Sequence, residues 1–85
     1  MNNLCTYCGS TRNIQNDHIR AQSKGGGATT EACALCNQSK GNKALMEWLR
    51  WIKKNDWYRW NRIKNYNFGK RNFIANKVQK IRDEK

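Results

Sequence analysis

Two pairs of cysteines with the same spacing constrain this chain more than any other feature. Cys5 and Cys8 form one C-x2-C turn, Cys33 and Cys36 form a second, and the chain has no other cysteine. Each such turn presents two sulfurs to one ion, so two turns complete the tetrahedral ligand set that zinc prefers. Two disulfides or redox-active thiols are the alternatives. Neither a secretory signal nor a βαβ pattern accompanies the cysteines, so the spacing favours a structural zinc on four cysteines.

A chain of 85 residues buries only a modest apolar core, and domains of this size usually need a further cross-link such as a metal. A structural zinc supplies on the order of 10 kcal/mol of folding free energy in zinc-finger peptides. We therefore expect one domain over residues 1–85. Its zinc-linked part is expected at 1–43, and a basic helical extension at 44–85.

Positive charge is concentrated in the second half of the chain. Residues 1–42 have a net charge of +2, since Arg12, Arg20, Lys24 and Lys40 face Asp17 and Glu31, and +9 of the total +11 lies downstream. This surplus favours a polyanionic partner, nucleic acid before a membrane surface. No apolar run approaches the roughly 18 residues that span a bilayer, so we expect no membrane segment and a cytoplasmic location.

The only histidine of the chain, His18, follows Asp17 between the two cysteine pairs. A neutral imidazole is the side chain best suited to accepting a proton near neutral pH, and a carboxylate suits a divalent cation. A four-cysteine site leaves this histidine without a role in zinc binding. The pair can therefore supply the base and the metal ligand that phosphodiester hydrolysis requires.

Taken together, these residues resemble the HNH endonuclease family, in the variety held together by zinc on four cysteines. The resemblance covers residues 5 to about 43. It is carried by Cys5-x2-Cys8, Asp17-His18-Ile19, Ser23-Lys24-Gly25-Gly26, Cys33-x2-Cys36-Asn37 and Lys40-Gly41. It implies a small α+β fold, a ββα-metal (His-Me finger) core followed by C-terminal helices, and metal-dependent hydrolysis of DNA to 5′-phosphate and 3′-hydroxyl ends.

The resemblance also implies roles for single residues. His18 would be the general base, and Asp17 and Asn37 would hold a catalytic Mg²⁺, Mn²⁺ or Ni²⁺. An amide oxygen is a hard ligand suited to such ions, although an asparagine near a helix start can also be a cap. Lys40, one turn after Asn37, is expected on the same helical face, where it could hold a phosphate.

One position departs from the family pattern. A residue that orients the base is common nine positions before the final asparagine, where this chain has Ala28. A backbone carbonyl could orient the base instead. The segment from Ala21 to Thr30, with its Ser-Lys-Gly-Gly-Gly core, is expected to connect two strands and to let the backbone approach nucleic acid, a flexible linker being the alternative.

The second half of the chain has helical periodicity. Apolar residues from Leu45 to Ile63 recur at three- and four-residue spacing, which predicts one or two amphipathic helices with a break between Lys53 and Trp57. A turn signal at 65–69 precedes a C-terminal helix that includes Val78 and Ile81. The opposite face of that helix is basic: Lys70, Arg71, Lys77, Lys80 and Arg82.

Four tryptophans lie within these helices, and helical spacing is typical of packing rather than of base stacking. We expect two or three to be buried, with Trp51 or Trp57 the better candidate for exposure.

Basic side chains that contact phosphates carry no sequence information, and the chain has no base-reading motif. The expected nucleic-acid contacts are Lys24, Lys40, Lys43, Arg71 and Lys77. The sequence thus predicts a nuclease of low specificity, in the setting of a phage or mobile-element protein or of a toxin domain delivered into a target cell and blocked by an acidic immunity protein. A non-catalytic zinc module that binds nucleic acid is the alternative.

Overall fold

The structure is a computed structural model that describes residues 4–18 and 29–84. Two strands and a short helix come first: β1 Ile14–His18, β2 Thr29–Cys33 and α1 Ala34–Lys40. Three helices follow: α2 Leu45–Asn55, α3 Trp57–Tyr66 and α4 Phe73–Asp83. This is the small α+β arrangement, ββα and then helices, that the sequence predicts. The expectations for Lys24, Ala28 and the glycine segment lie outside the described residues.

The two strands form an antiparallel sheet that leads directly into α1. Their register pairs Ile14 with Cys33 at one end and His18 with Thr29 at the other. Cys33 ends β2 and is also the N-cap of α1, where its Sγ accepts a hydrogen bond from the Cys36 N–H at 3.4 Å. The turn that starts the helix is therefore the second cysteine turn.

Helices α2 and α3 are separated by one residue, Asp56. It ends α2, and its carboxylate accepts a hydrogen bond from the Arg59 N–H at 3.2 Å, which caps α3. An N-cap side chain accepts a hydrogen bond from a backbone N–H of the first helical turn that would otherwise have no partner. The break thus lies within the interval that the periodicity predicts.

The last helix is fixed at both ends. The Asn72 side chain accepts from the Ala75 N–H at 2.8 Å at its start. At its end, Lys53 of α2 donates from Nζ to the carbonyl oxygens of Ile81 at 2.6 Å and Glu84 at 2.7 Å. A cation at these carbonyls also stabilises the negative end of the helix dipole, so α2 and α4 are joined by charge as well as by packing.

The tryptophans divide as expected, with Trp48 and Trp60 buried and Trp51 and Trp57 exposed. Trp48 packs edge-to-face on Tyr7 with ring centroids 5.0 Å apart, and its Nε1 donates to Ser39 Oγ at 2.9 Å. This one side chain therefore connects the first cysteine turn, α1 and α2. Buried residues of both halves of the chain form a single core cluster.

The end of α3 packs on the first cysteine turn. Asn67 donates from Nδ2 to the carbonyl oxygens of Tyr7 at 2.9 Å and Ile63 at 2.8 Å. Beside it, the Tyr66 ring covers Gly9, whose φ is +79°. A Cβ at Gly9 would lie 2.5 Å from two carbons of that ring, so only glycine fits this contact.

We predict that Gly9→Ala lowers the free energy of unfolding by about 2–5 kcal/mol, since a left-handed backbone costs an L-residue about 1–2 kcal/mol and overpacking typically adds about 1–3. Gly69→Ala is the matched control, because Gly69 has a φ of +77° but no atom within 4 Å of its Cβ position. Urea denaturation of the zinc-loaded proteins measures the free energy of unfolding of both variants. Equal losses for the two variants would contradict the packing of Tyr66 on Gly9.

Candidate active site and metal centre

The four cysteine sulfurs converge on one point. All four Sγ atoms lie within 4.8 Å of one another, and Cys8 Sγ is 3.7 Å from Cys33 Sγ. A tetrahedral zinc with bonds of about 2.3 Å would separate its sulfurs by about 3.8 Å, whereas a disulfide requires about 2.05 Å. The four side chains are buried, and none of them forms a disulfide. Their geometry can therefore hold zinc, as the spacing predicts, and does not form disulfides.

The thiols of Cys5 and Cys36 oppose each other's ionisation. Hydrogen bonds from Cys36 and Cys8 lower the pKa of Cys5, whereas the hydrogen bond to Cys5 raises the pKa of Cys36. Negative charge on one sulfur thus retains the proton on its neighbour. A bound cation removes this conflict, because a coordinating thiol is deprotonated outright.

A guanidinium lies beside this cluster. Arg59 of α3 donates from Nη1 to Cys36 Sγ at 3.1 Å. Asp56 holds it in place, since the Arg59 Nε lies 4.0 Å from Asp56 Oδ2. Arg59 carries a permanent positive charge, and zinc on four thiolates is a net anion. Sequence reasoning missed Arg59, because nothing in a run of basic residues marks the one that turns toward the cysteines.

Asp17 is buried, with 4% of its surface exposed. Its Oδ2 accepts a hydrogen bond from the Tyr7 hydroxyl at 2.7 Å and lies 3.6 Å from Lys40 Nζ. Burial and the hydrogen bond to Asp17 raise the pKa of Tyr7 above its ordinary value, so the hydroxyl stays a donor. Tyr7 was also missed by sequence reasoning, since it lies inside the first cysteine turn and carries no motif of its own.

The structure corrects the expectation for Lys40. Lys40 is buried, and its ammonium donates to the backbone carbonyl of His18 besides pairing with Asp17. The reason is the orientation of α1, which buries Cys36 and Lys40, one turn apart on one face. Lys40 therefore does not project toward a phosphate but ties α1 to the end of β1.

Asn37 faces β1 through a side-chain hydrogen bond. Its Nδ2 donates to Gln15 Oε1 at 2.7 Å. Gln15 lies two residues before Asp17, so both side chains are on the same face of the strand, along which α1 packs. Asn37 is not the helix cap, because Cys33 occupies that position. Gln15 could have been found from the sequence by this two-residue spacing from Asp17.

His18 lies apart from the cysteine cluster. It is the last residue of β1, half-buried, and strand alternation places its side chain on the face opposite Asp17. Within residues 4–18 and 29–84 its imidazole makes no hydrogen bond, and its backbone is held by Lys40. Asp17 and His18 can serve one site only if they lie at the end of the strand, where neighbouring side chains are not separated by the sheet. They are the last two residues of β1.

Comparison with known protein families matches residues 5–50 to the HNH endonucleases. The chain belongs to the HNH endonuclease family. The match spans both cysteine turns, β1, β2, α1 and the first half of α2. Comparisons with curated proteins and with solved structures found no match. In the part of this HNH protein that the structure describes, no helix is long and apolar enough to cross a membrane.

The remaining cations expected to contact nucleic acid differ in their surroundings. Arg71 is exposed. Lys43 and Lys77 are half-buried, with their Nζ atoms 4.9 Å from the Trp51 ring centroid and 5.2 Å from that of Phe73.

Replacing Arg59 by glutamine is expected to speed zinc release to a chromophoric chelator by about tenfold or more, since a hydrogen bond to a charged group contributes about 1.5–3 kcal/mol. Lys64→Gln is the control, because it also removes one positive charge from α3 and makes no hydrogen bond to sulfur among the described residues. If both variants release zinc at the wild-type rate, Arg59 does not stabilise the metal centre.

For Lys40→Met we predict a loss of about 3–5 kcal/mol in the free energy of unfolding, because removing one partner leaves the other charge buried and unpaired. Adding Asp17→Asn should recover part of this loss by removing that charge. Chemical denaturation of the single and double variants measures the coupling. A loss below about 1 kcal/mol for Lys40→Met would mean that Asp17 is already satisfied without the ammonium.

Proposed function

We propose that this HNH protein is a metal-dependent endonuclease that hydrolyses the phosphodiester bonds of DNA with low sequence specificity. One observation carries the proposal: the only histidine of the chain lies outside the four-cysteine cluster, next to a buried carboxylate, at the strand end facing α1. Family membership supports nuclease chemistry. The substrate and the role of each residue are our inference.

Asp17 and Asn37 would hold the catalytic cation. Among the described residues, both contacts of Asp17 are made by Oδ2, so Oδ1 would be its metal ligand. Asn37 turns its amide nitrogen toward Gln15, so its amide oxygen would be the second metal ligand. These are hard oxygen ligands of the kind that suits Mg²⁺ or Mn²⁺, with Ni²⁺ as an alternative. When bound, such an ion stabilises the negative charge that develops on the phosphoryl group.

His18 would act as the general base. Its neutral imidazole accepts a proton from water, and the water oxygen forms a bond to phosphorus as the bond to the 3′ oxygen breaks. The 3′ oxygen then takes a proton from solvent, which leaves 5′-phosphate and 3′-hydroxyl ends. Lys40 contributes by holding the His18 backbone, because a base acts efficiently only when it is positioned.

The four cysteines would hold a structural zinc with no part in the reaction. Cys5 and Cys8 come from the turn before β1, whereas Cys33 and Cys36 come from the start of the helix that carries Asn37. An ion bound by both pairs fixes the position of α1 relative to the first turn. Because a preformed site rarely exists in an unfolded chain, zinc binding would also supply folding free energy.

The basic side chains of the helical half would contact the DNA backbone. Lys43, Arg71 and Lys77 remain candidates, together with Lys24 of the segment outside the described residues, whereas Lys40 is occupied inside the protein. Such contacts position the nucleic acid without reading its sequence. This supports low specificity.

The charge also bears on the biological setting. A small, strongly basic nuclease fits a phage or mobile-element protein, or a toxin domain acting in a target cell. In the toxin setting, an acidic immunity protein that covers the basic helices would block access to DNA.

One observation favours a second candidate, a non-catalytic zinc module that binds nucleic acid. Tyr7 and Lys40 already satisfy one oxygen of Asp17, as they would if this carboxylate served only to hold the fold together. Such a module would bind DNA without cutting it.

The test is nicking of supercoiled plasmid by zinc-loaded protein in Mg²⁺, Mn²⁺ or Ni²⁺. We expect His18→Ala to reduce the nicking rate by about 10²–10⁴-fold, the usual contribution of a general base, with DNA binding unchanged. Cleavage of an end-labelled fragment should give a ladder of scattered positions. A wild-type protein that binds DNA but is inert with all three metals would establish the second candidate.

A further inference from the structure

The helical half exposes five large aromatic side chains that its core does not use. Between 43% and 73% of each side chain is exposed: Trp51, Trp57, Tyr58, Phe68 and Phe73. A chain with so small a core would be expected to bury its largest apolar groups. Their exposure therefore requires an explanation other than packing.

Four of the five rings lie next to a cation. The charged group is 4.9 to 6.0 Å from the ring centroid in the pairs Lys43–Trp51, Arg62–Tyr58, Arg82–Phe68 and Lys77–Phe73. These distances are in the range of cation–π attraction, which holds the cation over the ring. We call these four the aromatic–cation pairs. Each combines a flat apolar face with a positive charge.

The pairs lie in two regions of the helical half. The pairs of Trp51 and Tyr58 lie on either side of the corner at Asp56 between α2 and α3, where Trp57 is also exposed. The other region is α4 and the turn before it. Gln79 of α4 holds that turn by donating from Nε2 to the Lys70 carbonyl at 3.1 Å, and Phe73 begins the helix. Trp51, Tyr58 and Phe73 lie on helices, whereas Phe68 lies in the turn itself.

We propose that the aromatic–cation pairs bind single-stranded nucleic acid, with unpaired bases stacked on the rings and phosphates on the adjacent cations. Each nucleotide of a single strand offers one base face and one phosphate, which is the combination that each pair complements. In a duplex the base faces are already stacked, so the rings would add nothing to backbone contacts. The preferred substrate of the proposed nuclease would then contain unpaired segments, an extension that rests on the proposed function.

Charge decides between this ligand and an apolar protein partner. The half of the chain that carries the pairs has a net charge of +9. A partner that covered the rings with apolar surface would also have to desolvate their cations, which is costly without negative charge opposite them. A polyanion with exposed base faces complements both the ring and the cation of each pair.

The experiment measures binding without cleavage, using the full zinc-loaded chain and no added catalytic cation. A labelled 12-nucleotide single strand and its duplex are compared by fluorescence polarisation, and tryptophan emission is recorded in parallel. Trp48 and Trp60 are buried, so quenching by stacked bases must come from Trp51 or Trp57. Circular dichroism of each variant verifies the fold.

Trp51→Ala and Tyr58→Ala, each the ring of an aromatic–cation pair, are each expected to weaken single-strand binding about five- to hundredfold, the range that corresponds to about 1–3 kcal/mol per stacked base. Duplex affinity should change less than about twofold. Leu35→Ala is the control, because Leu35 is an exposed apolar residue of α1, outside the helical half that carries the pairs. It should change neither affinity.

Three outcomes would overturn the proposal: single-strand affinity unchanged in both variants, equal losses for single strand and duplex, or no tryptophan quenching at saturation. Loss of binding to anionic lipid vesicles with single-strand binding intact would assign the rings to a membrane surface instead. None of these binding measurements depends on cleavage. A protein that does not nick plasmid could therefore still bind single strands through the pairs, and unchanged single-strand binding in the variants would not affect the nuclease proposal.

Discussion

Convergence of the four cysteine sulfurs is the constraint on which the rest of the fold depends. The first cysteine turn has no regular secondary structure of its own, yet its Thr6 N–H donates to the Glu31 carbonyl of β2 at 2.8 Å, and its Tyr7 packs on Trp48. The second turn is also the start of α1. An ion bound by both turns would therefore hold together the sheet, α1 and the core, in a chain whose apolar core alone gives a thin margin of stability.

A second constraint is the buried polar group that joins Tyr7, Asp17 and Lys40. A buried charge is costly unless it is paired and hydrogen-bonded. Here the Asp17 carboxylate has a hydrogen-bond donor in Tyr7 and a cationic partner in Lys40. The group also reaches the candidate active site, because Lys40 holds the carbonyl of His18. The contacts that satisfy Asp17 thereby fix the end of the strand on which the proposed base lies. In this site stability and positioning come from the same atoms.

The sequence predicted those features that follow from local spacing. Two C-x2-C turns imply a common site, apolar periodicity implies the helices, and the polar Asp56 lies where that periodicity breaks. Features that depend on which face of an element packs could not be predicted. The three-residue spacing of Asn37 and Lys40 shows that they share a side of α1, but not that Lys40 enters the core. Likewise Arg59 meets Cys36 across 23 positions of sequence, a contact that no local pattern encodes.

Helix α3 joins the two halves of the molecule through consecutive residues. Successive side chains of a helix point about 100° apart, so Tyr58 can face solvent while Arg59 faces the cysteines. Arg59 donates to Cys36 Sγ, and Tyr58 carries Arg62 over its ring at 6.0 Å. The contact with the metal centre and one of the aromatic–cation pairs thus lie on different faces of the same helix. A zinc that only shapes the protein would, through this helix, also determine where a bound strand lies relative to His18.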